Sequence, residues 1–125
     1  MIRFFISNLW LWKCGLPEKI IEKQKLLPDV SILRTTQMNK YSITLMENRM
    51  IMGTFRYGKW QDNKKEGKKF DRIGSIQNRL DKYKQDGNDE HLVDIANLSM
   101  IEFSIGEHPK KHFGTIDDGE HVKQI

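Results

Sequence analysis

The segment running Glu90-His91-Leu92-Val93-Asp94-Ile95-Ala96-Asn97-Leu98-Ser99-Met100-Ile101-Glu102-Phe103 has the spacing of a helix that is apolar nearly all the way round, yet it carries Asp94 and Asn97 inside that apolar surface. An ionised side chain taken out of water costs several kcal/mol unless it is paired, hydrogen-bonded or metal-bound. Asp94 therefore demands a partner from another element, and the helix must either close a polar network or line a site. On a helix Glu90, Asp94 and Asn97 stand at i, i+4 and i+7, a single stripe about two turns long.

Three further helices are marked by their punctuation, which predicts an all-α chain, a compact bundle of about four helices. A short one starts at Leu16 with Pro17 in the first helical position and stops before Pro28. A second runs from Asn39 to Tyr57 with Gly58 closing it, its apolar set being Leu45, Met46, Ile51, Met52 and Phe55. Gly53 inside it marks either close packing or a weak point. A third starts near Asp71, repeats Ile73, Ile76, Leu80 and Tyr83 on an amphipathic face and ends at Asp86-Gly87. The fourth begins at Asn88 with acids in its first turn, ends before Gly106, and is expected at the centre.

At 125 residues the chain is expected to form a single domain: an N-terminal arm over 1–15, a helical core over 16–105 and an irregular C-terminal tail over 106–125. The arm is short, broken by Ser7 and Asn8, and without a small-residue cleavage site, so it reads as a docking arm rather than a leader. No stretch approaches the roughly 20 apolar residues of a membrane span. The lone Cys14 makes no internal disulfide, which fits a reducing, cytoplasmic setting, and no base is placed beside it.

Two carboxylates one helical turn apart, Glu90 and Asp94, are the hard oxygen pair that can hold magnesium, with Glu47 as a third ligand. The competing reading pairs Asp94 with an arginine of a facing helix, joins Asn97 to backbone and leaves Glu90 in solvent. Arg49 and Arg56 are seven apart on one face, so one can meet Asp94 while the other takes a phosphate or carboxylate; Arg79 is a third candidate, and Asn97 can join them. Tyr57 and Trp60 can stack on a base beside Lys59–Lys69, a polar loop with five lysines against two acids, expected to be mobile. A net charge of +4 falls short of the basic face of a dedicated nucleic-acid binder and leaves that role third. The tail gathers His108, His112 and His121 with Asp117, Asp118 and Glu120, but in no zinc-binding spacing, and Phe113 and Ile116 can anchor it as an arm.

Met46 to Gly58, Arg79-Leu80 to Tyr83, Gly87-Asn88 with Glu90 to Asn97, and His108-Pro109 to Asp118-Gly119 together resemble a family of small phage and prophage proteins without an assigned activity, over residues 33 to 122. More distantly, Glu90 to Ala96 and the helix before it are similar to the all-alpha, MazG-like nucleotide pyrophosphohydrolases. That resemblance implies an all-α architecture and a magnesium site built from Glu-x-x-Glu on one helix and Glu-x-x-Asp on the next long one. Asp94 matches the last position of the second motif; three residues before it stands His91, with Glu90 displaced by one. The first motif has no match, for Glu47 is alone on its helix and Asp71 and Asp81 are ten apart.

The expected function is accordingly that of a small phage or prophage accessory protein, acting in the cytoplasm of a bacterial host by binding a host protein or a small anionic ligand, with counteraction of host defence as one such role. The alternative is a magnesium-dependent MazG-like pyrophosphohydrolase acting on a nucleotide. Phe4, Phe5, Trp10 and Trp12 of the arm are the expected interface of a homo-oligomer or a host-protein complex.

Overall fold

The computed structural model describes residues 29–116 and Ile125, and in these it is helical without strands. The expected short helix that starts at Leu16 and stops before Pro28, Cys14, the arm residues Phe4, Phe5, Trp10 and Trp12, and the tail residues Asp117, Asp118, Glu120 and His121 lie outside the described residues. The chain divides into two units, one comprising Met1–Met38 with His112–Ile125 and the other Asn39–Lys111.

In the first unit, α1 (Val30–Thr36) is a helix that the sequence reading passes over. Asp29 starts it by accepting hydrogen bonds from the Ser31 backbone N–H at 2.8 Å and the Ser31 hydroxyl at 2.7 Å. Seven residues are too few to display a periodicity, and the cap directly after Pro28 is the one local signal.

The second unit contains α2 (Lys40–Tyr57), a 3₁₀ turn (Trp60–Asp62), α3 (Arg72–Asp86) and α4 (Glu90–Ile105). Each α-helix begins where its cap dictates. Asn39 Oδ1 accepts from the Ser42 N–H at 2.9 Å, and Asp71 Oδ1 from the Gly74 N–H at 2.9 Å. At α4 the side-chain bond comes from Asn88, whose Oδ1 accepts from the Glu90 N–H at 3.0 Å, so the helix starts two residues later than the sequence suggests. Gly87 ends α3 in the left-handed region at φ 66°, its N–H donating to Tyr83 O at 2.8 Å, and the short turn returns the chain as an antiparallel hairpin.

α4 is the central element, packed extensively on α3 and less so on α2. Among the described residues the buried ones are His91, Asp94 and Asn97, three polar side chains spaced by three along α4. The apolar residues are half-buried or exposed. This inverts the usual arrangement: a polar spine runs where an apolar seam is expected. The face of α3 turned to α4 is likewise mixed, with Arg72, Ile76, Arg79 and Tyr83 half-buried while Ile73 and Leu80 stay exposed on its flank.

Lys59–Lys69 is built from successive turns. Asp62 N–H donates to Lys59 O at 3.0 Å, Glu66 N–H to Asp62 O at 3.1 Å and Lys68 N–H to Asn63 O at 3.0 Å. The start of the expected tail belongs to the helical unit too, because Lys111 Nζ donates to the last-turn carbonyls of Glu102 at 3.1 Å and Phe103 at 2.8 Å. Among the described residues no helix is long and apolar enough to cross a membrane.

Candidate functional site: an arginine-walled cleft

The polar spine of α4 is satisfied by arginines from both neighbouring helices. From α2, Arg49 donates Nε–H to Asp94 Oδ1 at 3.0 Å and places Nη1 3.0 Å from Glu90 Oε1. From α3, Arg79 brings Nη2 to 3.3 Å from Asp94 Oδ2 and Nη1 to 3.4 Å from His91 Nδ1. The Arg79–Asp94 approach is an ion pair without hydrogen-bond alignment, and Asp94 Oδ2 is buried with no hydrogen bond to it. Arginine only donates, so His91 Nδ1 accepts, and in the neutral ring Nε2–H donates to Asp86 Oδ2 at 2.9 Å. Glu90, Arg49, Asp94, Arg79, His91 and Asp86 thus form one continuous chain across three helices.

The charges follow from these contacts. The hydrogen bond that Arg49 donates to Asp94, then the attraction of Asp94 and Glu90, hold its guanidinium above its ordinary pKa against the opposing effect of burial. Asp86 is held below the usual carboxylate value, first by the Asn88 N–H bonded to it and then by His91.

Beside this chain opens a cleft of about 460 Å³. Four arginines, Arg49, Arg56, Arg72 and Arg79, and one carboxylate, Asp94, reach its wall. Arg72 is held by Glu102, Nε to Oε1 at 3.3 Å, with its side chain only 13% exposed. Arg56 is exposed and has no ion-pair partner among the described residues. Tyr57, Trp60 and Phe70 add aromatic surface, and Asn63, Ser75 and Asn78 add neutral hydrogen-bonding groups. Asn97 also lines the cleft while its Nδ2 donates to Met46 O at 3.0 Å, tying α4 to the backbone of α2.

The structure therefore brings together Arg49, Arg56, Arg79, Asp94, Asn97, Tyr57 and Trp60 at one cleft. Glu90 stands at its edge on Arg49. Glu47 is not brought there: it is exposed, and two residues from Arg49 places it about 200° away around α2. Among the described residues no group of three His, Cys, Asp or Glu side chains is arranged to hold a metal ion. Asp94 and Glu90 converge on a guanidinium instead. His91, Arg72, Phe70 and Glu102 belong to the site without having been singled out in the sequence. Arg72 was findable, since Arg72 and Arg79 repeat on α3 the seven-residue spacing of Arg49 and Arg56 on α2. Of the loop lysines, Lys64 faces Glu107 at 3.3 Å and Lys68 faces Glu66 at 2.6 Å, so the loop's positive charge is partly neutralised.

No family model, no curated protein and no solved structure matches this chain.

Proposed function

We propose that this chain is a small non-enzymatic binding protein that captures a small anionic ligand in the arginine-walled cleft. The observation that carries the reading is Arg56: three of the four cleft arginines are held by Asp94, Glu90 or Glu102, while Arg56 stands at the same wall with no carboxylate partner among the described residues. A planar guanidinium suits bidentate recognition of phosphate or carboxylate, and the pre-set arginines beside it lower the cost of organising the site. Tyr57, Trp60 and Phe70 give the rest of the ligand a flat apolar wall. The phage or prophage setting, inside a bacterial host, is taken from the sequence resemblance and completes the proposal: sequestering an anionic small molecule is a task for which one compact cleft suffices.

The competing reading, a magnesium-dependent nucleotide pyrophosphohydrolase, requires Asp94 and Glu90 to leave their arginines and turn to a metal. Titration calorimetry with inorganic phosphate, pyrophosphate and nucleoside mono- and triphosphates, each with and without magnesium, separates the two. Capture predicts binding of at least one anion without magnesium, no phosphate release, and a loss of about 10-fold or more in affinity on Arg56→Gln, the weight of one charge-assisted hydrogen bond. Binding that needs magnesium and ends in released phosphate or pyrophosphate establishes the enzyme, and silence with every anion removes the capture reading.

A further inference from the structure

The face of α2 opposite α4 is uncharged, largely apolar and, among the described residues, exposed. Met46, Arg49, Met50 and Gly53 turn toward α4 and the cleft, and half a helical turn away lie Tyr41, Thr44, Asn48, Ile51, Met52 and Phe55. None of these six is charged. Phe55 is 87% exposed, Tyr41 73%, Ile51 57% and Met52 44%. Single exposed apolar residues are ordinary, but a contiguous stripe about 21 Å long, three helical turns and more, is not.

We infer that this stripe is the self-association surface of the chain, and that its occupant is the α2 helix of a second copy lying antiparallel across a two-fold axis at Asn48. The pattern reads the same in both directions. Phe55 and Tyr41 stand seven residues to either side of Asn48, so the axis lays each aromatic on the other kind from the second copy. Met52 and Ile51 meet Thr44 and Leu45 by the same symmetry. Asn48 meets Asn48, and an amide, being both donor and acceptor, satisfies its own duplicate, as a single polar residue inside a helical seam does when it fixes register. The Thr44 hydroxyl already donates to Lys40 O at 3.0 Å and brings no unmet donor to the seam. None of the six residues themselves offers a charge for a partner to pair with. Covering these side chains on both copies removes on the order of 1,000 Å² from water, at the lower bound of a specific interface. Met52 also lines the cleft, so the second copy stands beside the ligand's entrance.

The test is the solution mass of the full chain by light scattering or sedimentation. The wild type is expected at twice the 14.8 kDa of one chain, and Phe55→Glu and Asn48→Asp each at the single mass with unchanged helical circular dichroism. Both residues are exposed and neither lines the cleft, so both variants are expected to keep the fold. In a Cys14→Ser background, oxidised Asn48→Cys is expected to give a disulfide-linked pair, which reports the axis itself. A wild type of single mass at every concentration, or a dimer that keeps its mass in both charged variants, overturns the assignment.

Discussion

Arg49 Nε donates to Asp94 Oδ1 at 3.0 Å, a bond from the first turns of α4 back to the middle of α2 across 45 residues of chain. It is the point at which the fold and the candidate site become the same object. With the buried side chains of the described bundle all polar, α2 is joined to α4 by this ion pair and by the Asn97 bond to Met46 O as much as by apolar packing. The orientation of Arg49 at the cleft is fixed by the contact that fixes the helix.

Asp94 should accordingly be a stability residue before it is anything else. Asp94→Ala leaves Arg49 and Arg79 facing each other without the carboxylate between them, and the expected loss is about 3 kcal/mol, seen as a lower midpoint in urea unfolding. Asp94→Asn keeps the shape and the acceptor for Arg49 and should lose less. An Asp94→Ala variant as stable as the wild type would show that the pair carries no net weight.

Asn97 is 6% exposed and its Nδ2 meets Met46 O at 3.0 Å. Removing it by Asn97→Ala should cost about 1–2 kcal/mol, one net hydrogen bond plus the small void. Hydrogen exchange at the α2 amides around Met50 should quicken at the same time, because α2 is released from α4. A stability loss with unchanged exchange in α2 would place the effect elsewhere.

The sequence displays its helices through capping chemistry, which is local: Asn39, Asp71, Gly58 and Gly87 each act within four residues of themselves. The need of Asp94 for a partner was equally legible, because a carboxylate among Leu92, Val93 and Ile95 carries its cost wherever the chain goes. The identity of the partners was only half so. Arg49 and Arg79 were among the candidates, but that both share one carboxylate, and that His91 continues the chain to Asp86, depends on how three helices meet. The α3 face was misread for the same reason: Ile73 and Leu80 fit an apolar period, yet Arg72 and Arg79 take the packed side because Glu102 and Asp94 wait for them.

Gly53 is the residue where a gain is expected. It lies within α2, and a Cβ built there meets nothing within 4 Å, so close packing does not explain it. Gly53→Ala should raise stability by about 0.5–1 kcal/mol through the lower helix propensity of glycine. The same methyl points toward the cleft, so the variant's affinity for an anionic ligand reports whether that wall touches it. A destabilised Gly53→Ala would mean that α2 needs the glycine's freedom.

Asp86 supplies the pH dependence. Its carboxylate, bonded to the Asn88 N–H at 2.9 Å and to His91 Nε2 at 2.9 Å, has its pKa lowered in the folded chain, chiefly by Asn88 and next by His91. A lowered folded value means that the unfolded chain takes up this proton first as acid is added. Stability from Asp86 is therefore fully present above the ordinary aspartate value, about 3.9, and is lost as the pH falls from there through the lower folded value. Asp86→Asn keeps an acceptor for the Asn88 N–H and removes the charge, so it should melt below the wild type near neutrality, and the gap should close as the pH falls below about 4. The measurement is the melting midpoint of both proteins across that range; a gap that stays constant would assign the loss to hydrogen-bond geometry and not to the charge.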